Sequence, residues 1–118
     1  MADAGLFIGW GALARGREKE AVDLFNEILG YYGRLQEDGD IESFEPVFLE
    51  AHGGDLAGFV LVRGDAEKLA SIRVSEEFTQ YTIRAGLVVD NFGVVGADME
   101  GRLQQQMAFY TEQIGAIA

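Results

Sequence analysis

The chain contains no cysteine, which excludes disulfides, thiolate zinc sites and cysteine nucleophiles. It holds a single histidine, so no metal site can draw two imidazoles from one protomer. Bases are also scarce, 9 against 20 acids, for a net charge of −11 and a pI near 4.3. No basic excess exists to release the counterions of a phosphate backbone or an anionic bilayer, so neither nucleic acid nor membrane is an expected partner. No apolar run approaches the roughly 20 residues that cross a bilayer. The stretch Leu6–Leu13 is apolar but short, and no basic leader of a signal peptide precedes it. A cytoplasmic protein without metal or cofactor is the resulting expectation.

What is present is apolar. Hydrophobic residues make up 48% of 118 positions, enough for one folded domain over residues 1–118 and too much for an acidic disordered tail. Sixteen glycines stand against one proline. Leu6–Leu13, interrupted by Gly9 and Gly11, has the length of a strand. From Glu18 the period changes, and Ala21, Leu24, Phe25, Ile28, Tyr32 and Leu35 form one helical stripe that Asp38-Gly39-Asp40 ends. Tyr31 is expected at the edge of that stripe, apart from Tyr32.

Two apolar runs, Phe44–Ala51 and Leu56–Val62, flank His52-Gly53-Gly54-Asp55. A Gly-Gly centre suits a two-residue hairpin turn, and pairing His52 with Asp55 sets Phe48 opposite Phe59 and Phe44 opposite Arg63. One face then carries Val47, Leu49, Ala51, Leu56, Gly58, Val60 and Val62. The other carries Phe44, Pro46, Phe48, Glu50, Phe59, Leu61 and Arg63. A sheet with one wet face alternates apolar with polar residues; here both faces are apolar, so both need cover. Helices suit the aliphatic face, and the aromatic face calls for a second protomer.

Asp65 is placed to cap a short helix bearing Leu69 and Ile72, and Ser75 to cap another with an inner stripe of Phe78, Tyr81, Thr82 and Ala85, stopped at Gly86. Leu87–Ala97 reads as a fourth strand broken near Asp90-Asn91. Asp98 then caps a final helix striped with Leu103, Met107, Tyr110 and Ile114. Close packing is expected of the strand glycines Gly9, Gly11, Gly58, Gly93 and Gly96. The order is an α+β, ferredoxin-like β-α-β-β-α-β with a C-terminal helix and a four-stranded antiparallel sheet.

With this order, the double-faced hairpin and Gly93–Ala97 feeding a terminal helix, the chain resembles the dimeric α/β-barrel superfamily over Leu6 to Ile114. The superfamily includes cofactor-free monooxygenases, haem-degrading enzymes, muconolactone isomerases, ligand-binding regulatory domains and many bacterial proteins of unassigned role. The resemblance implies a homodimer with a small-molecule pocket in each protomer, and cofactor-free oxygenase or isomerase chemistry as one use of it. A non-catalytic interaction module, whose sheet face serves only dimerisation, is the alternative. The haem-degrading arrangement, a helix-borne histidine with asparagine and tryptophan, is not matched: no expected helix holds a histidine, and Trp10 and Asn26 fall outside it.

The residue-level candidates come from the same faces. Glu50 and Arg63 lie on an otherwise aromatic surface, where an isolated charge must pair, meet water or meet a ligand. An ion pair is the simpler reading; as pocket lining, Glu50 is the candidate base and Arg63 or Arg84 the anion stabiliser. Trp10, Phe48, Phe59 and Tyr81 supply the apolar walls of that expected ligand site. His52 titrates nearest neutrality and is a third catalytic candidate, though a turn flank is an ordinary place for an exposed histidine. Gly9-Trp10-Gly11-Ala12-Leu13-Ala14 matches G-x-G-x-x-A, yet a hairpin dominates the rest of the chain where that fingerprint requires a parallel βαβ unit.

Overall fold

The computed structural model describes residues 2–118. Strand β1 (Ala4–Trp10) leads into helix α1 (Glu18–Glu37), then β2 (Ser43–Phe48), β3 (Gly58–Gly64), α2 (Ala66–Arg73), α3 (Glu76–Val88), β4 (Gly93–Asp98) and α4 (Glu100–Ile117). The strands form one antiparallel sheet in the order β2-β3-β1-β4, the ferredoxin-like arrangement expected from the element order.

Local signals explain most boundaries. Gly39, at φ +79°, follows the end of α1, where a side chain would be strained. Asp65 Oδ2 accepts from Lys68 N at 3.1 Å, and Ser75 Oγ accepts from Phe78 N at 3.3 Å, so both caps stand where the sequence places them. Other boundaries move. β1 stops at Trp10, and Leu13 makes only an isolated bridge to Val89. α3 runs through Gly86 to Val88, taking Leu87 and Val88 from the expected fourth strand, which starts at Gly93. The N-cap of α4 is Met99, without a side-chain bond; Asp98 instead pairs with Arg102 Nε at 3.0 Å.

The hairpin corrects the expected register by one residue. Phe44 lies opposite Val62, Pro46 opposite Val60 and Phe48 opposite Gly58. The connection is not a two-residue turn but residues 49–57, in which Gly53 takes φ +84°. His52 organises it: Nδ1 accepts from Gly54 N at 3.2 Å, and Nε2 lies 2.8 Å from Leu56 O. A one-residue slip sends every side chain of β2 to the other face. Phe44, Pro46 and Phe48 therefore join Val60, Val62, Leu6 and Ile8 on the helix side of the sheet, Pro46 and Phe48 at its exposed margin, while Val47 joins Phe59, Leu61 and Arg63 on the open face.

The core lies between the sheet and α1, α2 and α3. Ala4, Leu6, Ile8, Val60 and Val62 meet Tyr31, Tyr32, Leu69 and Phe78, and a second cluster joins Ala21 and Leu24 to Ala85 and Val88. Each fully buried large apolar side chain contributes about 1.5–3 kcal/mol. Tyr31 and Tyr32 are both buried, not split: Tyr31 packs on Tyr81 at 5.0 Å and Tyr32 on Phe44 at 5.8 Å between ring centroids. Gly58 does require its lack of a side chain, since a Cβ there would lie 2.7 Å from the Trp10 ring and 2.8 Å from Val47 O. Gly93 and Gly96 face open space instead, because β4 is an edge strand.

Candidate functional site

The principal cavity, about 670 Å³, lies on the helix side of the sheet. Its floor is Ile8, Trp10 and Val60, and its walls are Leu24, Phe25 and Ile28 of α1 facing Phe78, Tyr81 and Ala85 of α3. Alternation in β1 decides this, since even-numbered residues from Ala4 to Trp10 all point towards the helices. Leu13, Val22, Phe48 and Leu49 line the cavity while remaining exposed, so they form an apolar mouth. At that mouth Phe48 packs against Phe25 at 5.2 Å and against Trp10 at 6.1 Å, and Trp10 meets Phe25 edge-on at 5.7 Å. Two loops hold the mouth in place: Gly11 N donates to Asp90 O at 2.7 Å, and Ala57 N to Trp10 O at 2.8 Å.

No charged residue lines the cavity; its polar residues are Asn26, Thr82, Trp10, Tyr32 and Tyr81, and the Tyr81 hydroxyl bonds to the Glu27 carboxylate. Burial pushes the Tyr32 phenol well above its ordinary range, with Tyr31 adding to the shift. Burial raises Tyr81 as well, helped by the nearby carboxylates of Glu27 and Glu77. Both tyrosines are therefore neutral hydroxyls at physiological pH, able to donate or accept a hydrogen bond. Outside the cavity two ion pairs join α1 to α3. Arg84 grips both oxygens of Glu27 at 3.2 and 2.9 Å, and Arg34 reaches Glu77 at 3.0 Å. The Arg84 bond holds the Glu27 carboxyl below its usual range. Each guanidinium also lies over a ring, Arg84 over Tyr81 at 5.9 Å and Arg34 over Tyr31 at 5.6 Å.

Of the candidate residues in the sequence, the structure brings Trp10, Phe48 and Tyr81 together around this cavity. Arg84 stands outside it, engaged with Glu27. Phe59 and Arg63 lie on the opposite face of the sheet, where Phe59 stacks on Phe7 at 4.9 Å. Glu50 and His52 belong to the exposed 49–57 connection. Glu50 thus lies beyond the end of β2, outside the paired strands. The register slip removes the common face expected of Glu50 and Arg63, and Arg63 lies opposite Ser43. Phe25, Phe78, Tyr32 and Phe92 also line the site, and sequence reasoning does not single them out as ligand contacts. Three of them are legible as apolar helix positions, but a stripe facing a sheet looks the same whether a cavity or packed core lies between. Among the described residues, no cluster of three or more acidic or imidazole groups is placed to hold a metal ion, and no helix is long and apolar enough to cross a membrane.

No protein-family model matches the chain, and no curated protein matches it either. Solved structures do match. A conserved protein from Methanosarcina mazei Go1 superposes with a TM-score of 0.61 at 12% identity, covering 84% of this chain and 95% of that one. A dimeric protein of unknown function and ferredoxin-like fold from Bacteroides fragilis gives 0.57 at 10% identity, covering 81% and 96%. SnoaB, a cofactor-independent oxygenase from Streptomyces nogalater, gives 0.54 at 13% identity, covering 84% and 95%. At such identities the likeness is one of fold, and the chain has a ferredoxin-like fold with one four-stranded antiparallel sheet.

Proposed function

We propose that the chain binds one uncharged, largely apolar organic molecule per protomer in the cavity between the sheet and helices α1 and α3, and that it works as a homodimer joined through the open sheet face. The carrying observation is the lining: about 670 Å³ of space walled by aromatic and aliphatic side chains, with only hydroxyl, amide and indole groups to orient a guest. That size and character are those of small-molecule sites. A carboxylate or phosphate entering it would lose its hydration without meeting a cation. Trp10, Phe48 and Tyr81 are the proposed contacts. The enzymatic form of this reading is cofactor-free oxygenation or isomerisation of such a guest. It is supported by fold analogy with a cofactor-independent oxygenase, an analogy that does not carry a reaction by itself. In that form Asn26, Thr82 and the neutral Tyr32 are the polar lining residues able to bond to a carbonyl or phenol, the Tyr81 hydroxyl being engaged by Glu27. The homodimer is supported by Phe7, Val47, Phe59, Leu61 and Val95 on the uncovered sheet face and by the dimeric relative of the same fold.

Fluorescence titration with Nile red, a neutral apolar dye, tests the cavity. Saturable binding of one dye per chain with a shift of Trp10 emission is expected. Ala85→Phe, which fills the cavity from α3, should weaken binding at least tenfold while leaving the circular dichroism spectrum unchanged. Equal dye affinity in the wild type and Ala85→Phe overturns the assignment. Absence of saturable binding favours the non-catalytic interaction module.

A further inference from the structure

Helix α4 has a surface that the rest of the fold leaves without a role. Leu103, Met107, Tyr110, Ile114 and Ile117 succeed one another at steps of four, three, four and three. This is the 3.5-residue period of a two-stranded helical seam, narrower than the stripe of a helix lying on a sheet. All five side chains are at least half exposed, and no residue of α4 is buried. The helix meets its own protomer mainly along β4 and extends the molecule. The radius of gyration is 16.3 Å, where a compact chain of this length has about 13–14 Å. Met99 alone separates β4 from α4, and no residue of the helix is buried against the open sheet face.

We infer that α4 pairs through this seam with α4 of a second copy of the chain. The positions flanking the seam are Gln104, Gln106, Thr111 and Gln113, none of them charged. In a chain carrying −11, neutral flanks let identical helices approach without like charges meeting. A foreign partner chosen by charge would require the charged flanks that set pairing in such helices. A lipid surface fits poorly, since Arg102 is the only base on a helix that also carries Glu100 and Glu112. The seam exposes on the order of 600 Å² of largely apolar surface, against the ~800 Å² that each partner buries in a stable interface. Two heptads do not hold alone, so this pairing rests on the proposed homodimer and adds to its sheet contact.

The absence of native cysteine makes disulfide trapping unambiguous. Tyr110 is the midpoint of the seam, so it faces its counterpart whether the two helices run parallel or antiparallel. Oxidation of Tyr110→Cys at micromolar concentration should give a covalent dimer at least ten times faster than Gln105→Cys, on the opposite side of α4. Met107→Glu with Ile114→Glu should weaken self-association at least tenfold by sedimentation, with helix content retained. Equal trapping rates at 105 and 110 overturn the inference. A wild-type chain that is monomeric at micromolar concentration overturns the homodimer itself. A dimer broken by Leu61→Glu but unaffected by the α4 double variant overturns only the helix pairing.

Discussion

At the residue scale, Tyr32 shows how one position can serve core and cavity together. Its ring packs on Phe44, and the residue also lines the cavity. Burial raises its pKa, so in alkali the unfolded phenol loses its proton, near pH 10, before the folded one does. The unfolded state then binds fewer protons, and stability falls as pH rises from that point towards the folded value. Urea midpoints measured from pH 8 to 11 should decline for the wild type and decline less for Tyr32→Phe, with a residual slope from Tyr31, which burial also raises. Identical slopes would contradict the burial of this hydroxyl. The neighbouring Tyr31 is not legible as buried, because a helical stripe read in isolation has two edges. Only the position of α3, which brings Tyr81 to 5.0 Å, decides which edge is covered.

At the scale of elements, the caps of α2 and α3 are readable in the sequence, while that of α4 and the strand register are not. Asp65 and Ser75 cap α2 and α3 through bonds that need only three residues of local chain. Ser75→Ala should therefore cost about 1 kcal/mol, read as a lower denaturation midpoint with little change in slope. Restoration by Ser75→Asp would tie the loss to the cap. The β2–β3 register depends on how residues 49–57 fold, and these are set by His52 bonding to Gly54 and Leu56 and by Asp55 O approaching Gly11. Those contacts are partly non-local, so a Gly-Gly pair suggests a tighter turn than the chain makes. The same register shift takes Glu50 and Arg63 off the common face expected of them. It also moves the pocket from the aromatic face expected of the hairpin to the helix side of the sheet, with Trp10, Phe48 and Tyr81 still among its walls. Helix α3 passes its expected stop because Gly86 has open space around it and no φ above zero is imposed there.

For the whole molecule, acidity and apolar surface act against each other. A net charge of −11 on each chain repels a second copy, while the open sheet face favours one. Salt screens the first and leaves the second almost untouched. Raising ionic strength from about 0.02 to 0.3 M should thus tighten the dimer several-fold by sedimentation. Weakening with salt would point to an interface held by ion pairs instead. The excess of apolar residues is plain in the sequence, and part of it is readable there as sheet surface. That a further part lies along α4, outside the body of the protomer, is decided only by the direction in which the helix leaves β4.

Strand β1 sits between two neighbours in the sheet, with Leu6, Ile8 and Trp10 on one side and Phe7 with Gly5 and Gly9 on the other. Parity therefore sorts its positions into two separate vocabularies, even numbers for the core and cavity and odd numbers for the open face. Gly5 and Gly9 leave no space for a side chain, since a Cβ there would lie 2.7 Å from Met99 and 2.8 Å from Phe7 respectively. If the proposed binding and pairing hold, variation at Ile8 and Trp10 would retune what the cavity accepts while association is preserved, and variation at Phe7 would do the reverse.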